Sequence, residues 1–239
     1  MPATFINMAL VLLGGGLGLA FKGFISDRLM SILTHALGLC VLAIGIGNAT
    51  GTQDMLCVIV CMVTGTVMGS AIDIERRLEG AGDLLRAKVF RNGSGGRFTE
   101  GFVNASLLFC VGAMAITGSI EAGLNGNYEI IVSKGAIDGV TAVSFAATLG
   151  VGVMFSVIPL LVYQGGITLL AGWVGPYLPA AVITEMTAVG GALIVALAVN
   201  MLELGREKIK VGNMLPAIFL PIAYLPLAQW LGGVFSGLF

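Results

Sequence analysis

The feature that most restricts this chain is the recurrence of uncharged apolar runs of nearly twenty residues, such as "INMALVLLGGGLGLAF" from Ile6 and "MLCVIVCMVTGTVMGSAI" from Met55. A helix of about 20 residues matches a hydrocarbon layer about 30 Å thick. In lipid the backbone must satisfy its own hydrogen bonds, which leaves helices or a closed barrel. The alternating ten-residue pattern of a barrel strand is missing. Composition agrees: 57% of residues are hydrophobic and 10% charged, and the mean hydropathy is +0.99. The predicted fold is therefore all-α, a polytopic membrane protein. The 36 glycines suit helices that approach one another closely. With a net charge of -1 and basic residues confined to short clusters at helix ends, no nucleic-acid partner is expected.

Windows of apolar residues place eight spans near 4–21, 31–49, 54–72, 99–118, 129–149, 151–173, 179–202 and 212–233. The first of these carries no charged leader before its apolar run and reads as a span rather than a cleavable signal. The polar insertion 73–98 is predicted to begin as an amphipathic helix with Leu78, Leu84 and Leu85 and to end in the flexible "NGSGG". It holds Arg76, Arg77, Arg86, Lys88, Arg91 and Arg97, so the positive-inside rule puts it in the cytoplasm. The region 129–173 is either one span or two. Two spans put the cluster Arg206, Lys208 and Lys210 inside as well, with both termini outside.

On that topology, loop charges exchange places between the front and the back of the chain. The basic connection after span 1 answers to the uncharged "VGPYLP" after span 6, and the acidic "GTQDM" after span 2 answers to "GREKIKVGNM" after span 7. Spans 1–3 (residues 1–72) and spans 6–8 (151–239) then form an inverted-topology repeat, with two additional spans in 99–150. Many secondary transporters are built so, with the substrate site near mid-membrane between the repeats.

Span 5, "EIIVSKGAIDGVTAVSFAATLG", starts with Lys134 and Asp138 four residues apart, on one helix face. Thr141 and Thr148 continue that stripe, and Ser144 adds a further hydroxyl. Charges inside a bilayer are costly and usually face a bundle interior or a water-filled cavity. The alternative is a Lys134 that snorkels to the outer surface with Asp138 as its local partner. Glu185 in "VITEMTAVGG" is a second candidate carboxylate, or an interfacial one near the outer end. Gln164 in "VYQGGITLLAG" precedes two glycines that weaken the helix. It either marks a broken helix whose backbone coordinates a ligand or hydrogen-bonds a neighbour. Asn104 is read the same two ways. Pro159, and Pro216, Pro221 and Pro226, predict kinks in spans 6 and 8.

Enzyme signatures are missing: one histidine, His35, builds no metal site, and no nucleophile elbow or phosphate loop is present. Cys57 and Cys61 share a helix face and read as small packing groups. No cofactor or metal is expected.

The run "EGFVNASLLFCVGAMAITGSIEAGLNGNYEIIVSKGAIDGVTAVSFAATLGVGVMFSVIPLLVYQGGITLLA" resembles the bacterial inner-membrane family catalogued as domain of unknown function 554. So do the opening "INMALVLLGGGLGL" and the closing "NMLPAIFLPIAYLP". The resemblance implies a bacterial inner-membrane protein that transports, and supplies neither a substrate nor site residues. Two functions follow. One is a transporter or channel for a small polar solute or ion, lined by Lys134, Asp138, Thr141, Ser144, Gln164, Glu185 and Asn104. The other is a scaffold or sensor in the bilayer whose ion pair is structural. The partners expected are lipid, a small solute or ion, and as one option a second copy of the chain.

Overall fold

The computed structural model of the chain describes residues 1–23, 26–90 and 96–236. Most of the flexible stretch predicted at 92–96, and Arg91 beside it, lie outside the described residues. Among the described residues every regular element is helical. The order is α1 (Pro2–Lys22), α2 (Asp27–Ala49), α3 (Met55–Ile72), α4 (Ile74–Val89), α5 (Phe98–Cys110), α6 (Ala113–Leu124) and α7 (Glu129–Leu149). Two single turns follow, α8 (Gly152–Phe155) and α9 (Val157–Leu160), then a π-helical turn Leu161–Gly165 and α10 (Gly166–Val174). After α11 (Ala180–Met201) comes a 3₁₀ segment, Val211–Phe219, and α12 (Pro221–Ser236). Among the described residues six stretches are long and apolar enough to cross a membrane: Pro2–Lys22, Ser31–Ala49, Met55–Ile72, Glu129–Leu149, Gly152–Trp173 and Ala180–Met201. Two bent pairs raise the number to eight if each crosses as one.

Small residues set how the helices pair. α1 lies along α7 in the same direction: a Cβ on Gly14 would run into the Gly139 carbonyl, and one on Gly18 into that of Val143. Close approach of backbones through small residues is the usual way helices associate where lipid is as apolar as the side chains. α2 packs on α11 in the opposite direction, Gly38 meeting Leu202 and Gly45 meeting Val195. α3 likewise runs antiparallel to the 3₁₀ segment, with Gly65 against Ala217 and Gly69 against Asn213.

The same contacts decide between one span and two in 129–173. Lys22, at the C-terminal end of α1, lies beside Gly150, Gly15 beside Met154, and Thr4 with Met1 beside Gly165. The stretch 152–174 therefore runs antiparallel to α1 and to α7, and the turn between them is made by Gly150 at φ +89°. These are two spans. Only glycine adopts that dihedral without strain.

One window predicted as an unbroken span is broken, and the kink predicted from the prolines of the last span is present. The window 99–118 bends by 62° between Phe98–Cys110 and Met114–Leu124, with Gly112 at φ 126° in the break. The last window bends by 45° after a 3₁₀ segment containing Pro216. The kink predicted from Pro159 is present as the interrupted string α8, α9 and π turn. Proline lacks the N–H that would continue the helical ladder, and its ring crowds the preceding turn.

The predicted amphipathic helix of the polar insertion is α4. It is fastened at its start and in its middle: the Glu75 N–H donates to Asn213 Oδ1 at 2.7 Å, the Gly212 N–H donates to the Glu75 carboxylate, and Thr99 Oγ1 donates to Asp83 Oδ1 at 2.7 Å. Leu78 faces the 3₁₀ segment at Gly212, whereas Leu84 is exposed. Nearby, Asn200 clips the connection after α11 by exchanging two 2.8 Å hydrogen bonds with the backbone of Ile209.

Candidate functional site

At a rise of about 1.5 Å per residue, Asp138 stands about 13 Å along an α7 that is about 31 Å long. It is therefore near mid-thickness of the bundle. The parallel packing of α1 brings Asn7 to the same level, where Gly135 leaves room for it. The Asn7 amide nitrogen donates to Asp138 Oδ2 at 3.1 Å and to Gln164 Oε1, on the π turn, at 3.0 Å. The Lys134 ammonium donates to the same Asp138 Oδ2. Lys134 is 5% exposed, Asp138 7%, and Asn7 and Gln164 not at all. Lys134 is thus turned into the bundle and not snorkelling. The four side chains form one polar seam across α1, α7 and the π turn, in an otherwise apolar interior.

The seam is not saturated. Asn7 Oδ1, Gln164 Nε2 and Thr4 Oγ1 are buried without a hydrogen-bond partner among the described residues. Buried polar atoms are ordinarily paired, because leaving one unmade costs about 1–3 kcal/mol. Both bonds to Asp138 fall on Oδ2, and Oδ1 receives none among the described residues. The wider, mis-stepped backbone of a π turn is frequent at functional sites.

Beside the ion pair is a cavity of about 220 Å³. Lys134, Ile137, Asp138 and Thr141 of α7 form one wall, Ile44 and Asn48 of α2 another, and the broken α5–α6 hinge around Val111 and Gly112 a third. The hinge interrupts the helical ladder beside the charges. The Ala115 N–H reaches back to the Gly112 carbonyl, and residues at the end of α5 (Leu108, Phe109) and the start of α6 (Met114, Ala115) line the cavity on either side of the hinge.

The remaining predicted residues are distributed as follows. The Thr141 hydroxyl donates to its own helix at Ile137 O, 2.9 Å, and its side chain lines the cavity. Ser144 is half-buried and its carbonyl accepts from Thr148 Oγ1 at 3.0 Å, so the Thr148 hydroxyl, like that of Thr141, is spent on its own helix. Asn104 lines a different cavity, of about 510 Å³, with Glu75, Thr99, Asn200 and Lys208. Burial raises the Glu75 carboxyl above its ordinary value against the opposing pull of the Gly212 N–H. Glu185 is 2% exposed and away from the seam. It accepts from Thr52 Oγ1 at 2.6 Å, Gln53 N at 2.8 Å and Asp54 N at 3.2 Å, and so holds the turn between α2 and α3.

The family described as "Protein of unknown function (DUF554)" matches residues 2–225. The chain belongs to the DUF554 family. Two relatives are "Uncharacterized membrane protein YdfK" of Bacillus subtilis (strain 168), 32% identical over 225 residues, 92% of this chain and 94% of the relative, and "Uncharacterized protein YqgA" of Escherichia coli (strain K12), 30% identical over 232 residues, 95% and 96%. No solved structure matches the chain. This DUF554 protein is a helical membrane protein, and the α1–α7 seam is its candidate site.

Sequence reasoning missed Asn7, Thr4 and Asn48. The usable signal was in span 1, where Thr4 and Asn7 lie one helical turn apart at the head of an apolar run, on one face. Nothing in the sequence tied Asn48 to Asp138.

Proposed function

We propose that the protein is a secondary transporter or channel for a small polar solute or ion in the bacterial inner membrane, and not an enzyme. One observation carries this reading: a buried, incompletely satisfied ion pair lies at mid-thickness against a cavity whose third wall is a broken helix. Discontinuous helices at the midplane expose backbone groups for coordinating a solute, and irregular backbone at that depth is tolerated where it lines a cavity.

The inverted repeat is part of the proposal. Its support is that spans 2 and 7, 3 and 8, and 1 and 6 each lie side by side and antiparallel, as a pseudo-two-fold axis in the membrane plane requires. Both termini lie outside, with 73–98 and 203–210 in the cytoplasm. Reporter fusions at Gly93 and Gly205 both read cytoplasmic on this topology, and a periplasmic signal at Gly205 rejects it.

Flux tests the function. Purified protein in proteoliposomes moves a small polar solute or ion, and Asp138→Asn, which keeps size and removes charge, abolishes that flux while the protein stays folded and inserted. Wild-type flux through Asp138→Asn at every pH leaves the ion pair structural.

A further inference from the structure

Resting on the transport reading, we propose that the cavity beside Lys134 and Asp138 binds a small zwitterion, a molecule with one ammonium and one carboxylate group. The charges on its walls come in balanced pairs. Lys134 and Asp138 present one positive and one negative group, both more than nine-tenths buried, and both line the cavity. Asp138 Oδ1 has no hydrogen bond among the described residues, and the Lys134 ammonium has protons beyond the one given to Oδ2. At the α5–α6 hinge the balance is repeated in backbone form. The end of α5 offers carbonyls and a partial negative charge, and the start of α6 offers N–H groups and a partial positive one.

A lone cation entering this site raises its buried charge to plus one, and a lone anion lowers it to minus one. Each then pays the desolvation of an unbalanced charge. A neutral solute has nothing with which to replace the ion pair. A zwitterion exchanges charge for charge. Its carboxylate takes the Lys134 ammonium and the α6 N–H groups, and its ammonium takes Asp138 Oδ1 and the α5 carbonyls. The pocket is small, with one side open where Ile44 and Ile137 are exposed. With about 30 Å³ per water-sized unit, a cavity of about 220 Å³ admits about seven non-hydrogen atoms, the range of glycine, alanine, serine and β-alanine.

Binding to the purified full-length protein in detergent, measured by calorimetry, tests this. The probes are those four amino acids, with sodium acetate, methylammonium chloride and acetamide as single-feature controls. At least one amino acid is expected to bind tenfold or more tightly than every control. Thr141→Phe fills the cavity from a position whose hydroxyl bonds only its own helix, and is expected to abolish binding with an unchanged gel-filtration profile. Asp138→Asn is expected to weaken amino-acid binding at least tenfold and to leave acetate no weaker. No binding by any of the four, equal binding by a control, or binding that survives Thr141→Phe overturns the proposal. Its failure and that of the transport reading are distinguishable. Amino-acid binding without flux in proteoliposomes removes transport and leaves the zwitterion site. Flux of acetate or methylammonium without amino-acid binding does the reverse.

Discussion

Asp138 and Glu185 are both buried carboxylates in long apolar helices, 7% and 2% exposed, yet their surroundings differ. Glu185 receives three hydrogen bonds, from one hydroxyl and two backbone N–H groups of a single short turn. Its oxygens are occupied and its effect is local: it holds α2 to α3, and Asp54 in the same turn accepts from the Cys57 N–H at 3.1 Å to start α3. Asp138 receives both its bonds on one oxygen, from side chains of two helices, with unpaired amide and hydroxyl atoms close behind and a cavity in front. Burial by itself does not separate a structural carboxylate from a functional one. On the proposed function, what separates the two is saturation of the oxygens, and whether the donors come from one local turn or from several elements.

The sharpest way to break this comparison is Lys134→Ala. Removing one partner of a buried pair strands the other, and the expected loss is about 3–5 kcal/mol, read as a large fall in thermal midpoint or in monodisperse yield. Combining it with Asp138→Asn is expected to recover part of that loss, because the two sites are coupled. A Lys134→Ala protein as stable as wild type means that Asp138 is already neutral or otherwise compensated.

Glu185→Gln is expected to cost about 1.5–3 kcal/mol, the scale of hydrogen bonds to a charged acceptor. Transport per folded molecule should persist. Normal stability with lost flux would reverse the roles assigned to the two carboxylates.

Asp138→Asn keeps an oxygen that accepts from Lys134 and Asn7 but removes the counter-charge of a buried ammonium, so it is expected to cost about 1–3 kcal/mol, less than Lys134→Ala because the acceptor remains. Its flux should fall to background. The contrast with Glu185→Gln, flux lost in one and kept per folded molecule in the other at a comparable cost in stability, is the measurement that sharpens the comparison most.

The smallest expected effect is at Glu75. Burial raises its folded carboxyl pKa, with Glu79 and Asp73 adding to the rise and the Gly212 N–H and Lys210 opposing it. A raised folded value means that the folded state holds the proton more tightly than the unfolded chain does. Stability is therefore greatest below the ordinary carboxyl pKa and falls as pH rises past it towards the raised value. Thermal unfolding of Glu75→Gln, followed as pH rises from below the ordinary carboxyl pKa, is expected to show less of this slope than wild type. An identical slope places the titration elsewhere.

What the sequence determined was whatever is local in lipid. The helical class, the span at 129–149, the kinks at Pro159 and Pro216, and Lys134 within reach of Asp138 all follow from hydropathy, from backbone hydrogen bonds that lipid cannot replace, and from helical spacing. Tertiary structure decided who met whom. Asn7 reaches Asp138 across 131 residues and Gln164 across 157, and Glu185 reaches Thr52 across 133. The hinge at Gly112, indistinguishable in the sequence from many other glycines in apolar runs, became a cavity wall only once α2 and α7 stood beside it. The reason is physical: in lipid, apolar helices with small residues gain similar packing in many registers. The few polar contacts that select one register join residues whose distance along the chain carries no trace of their proximity in space.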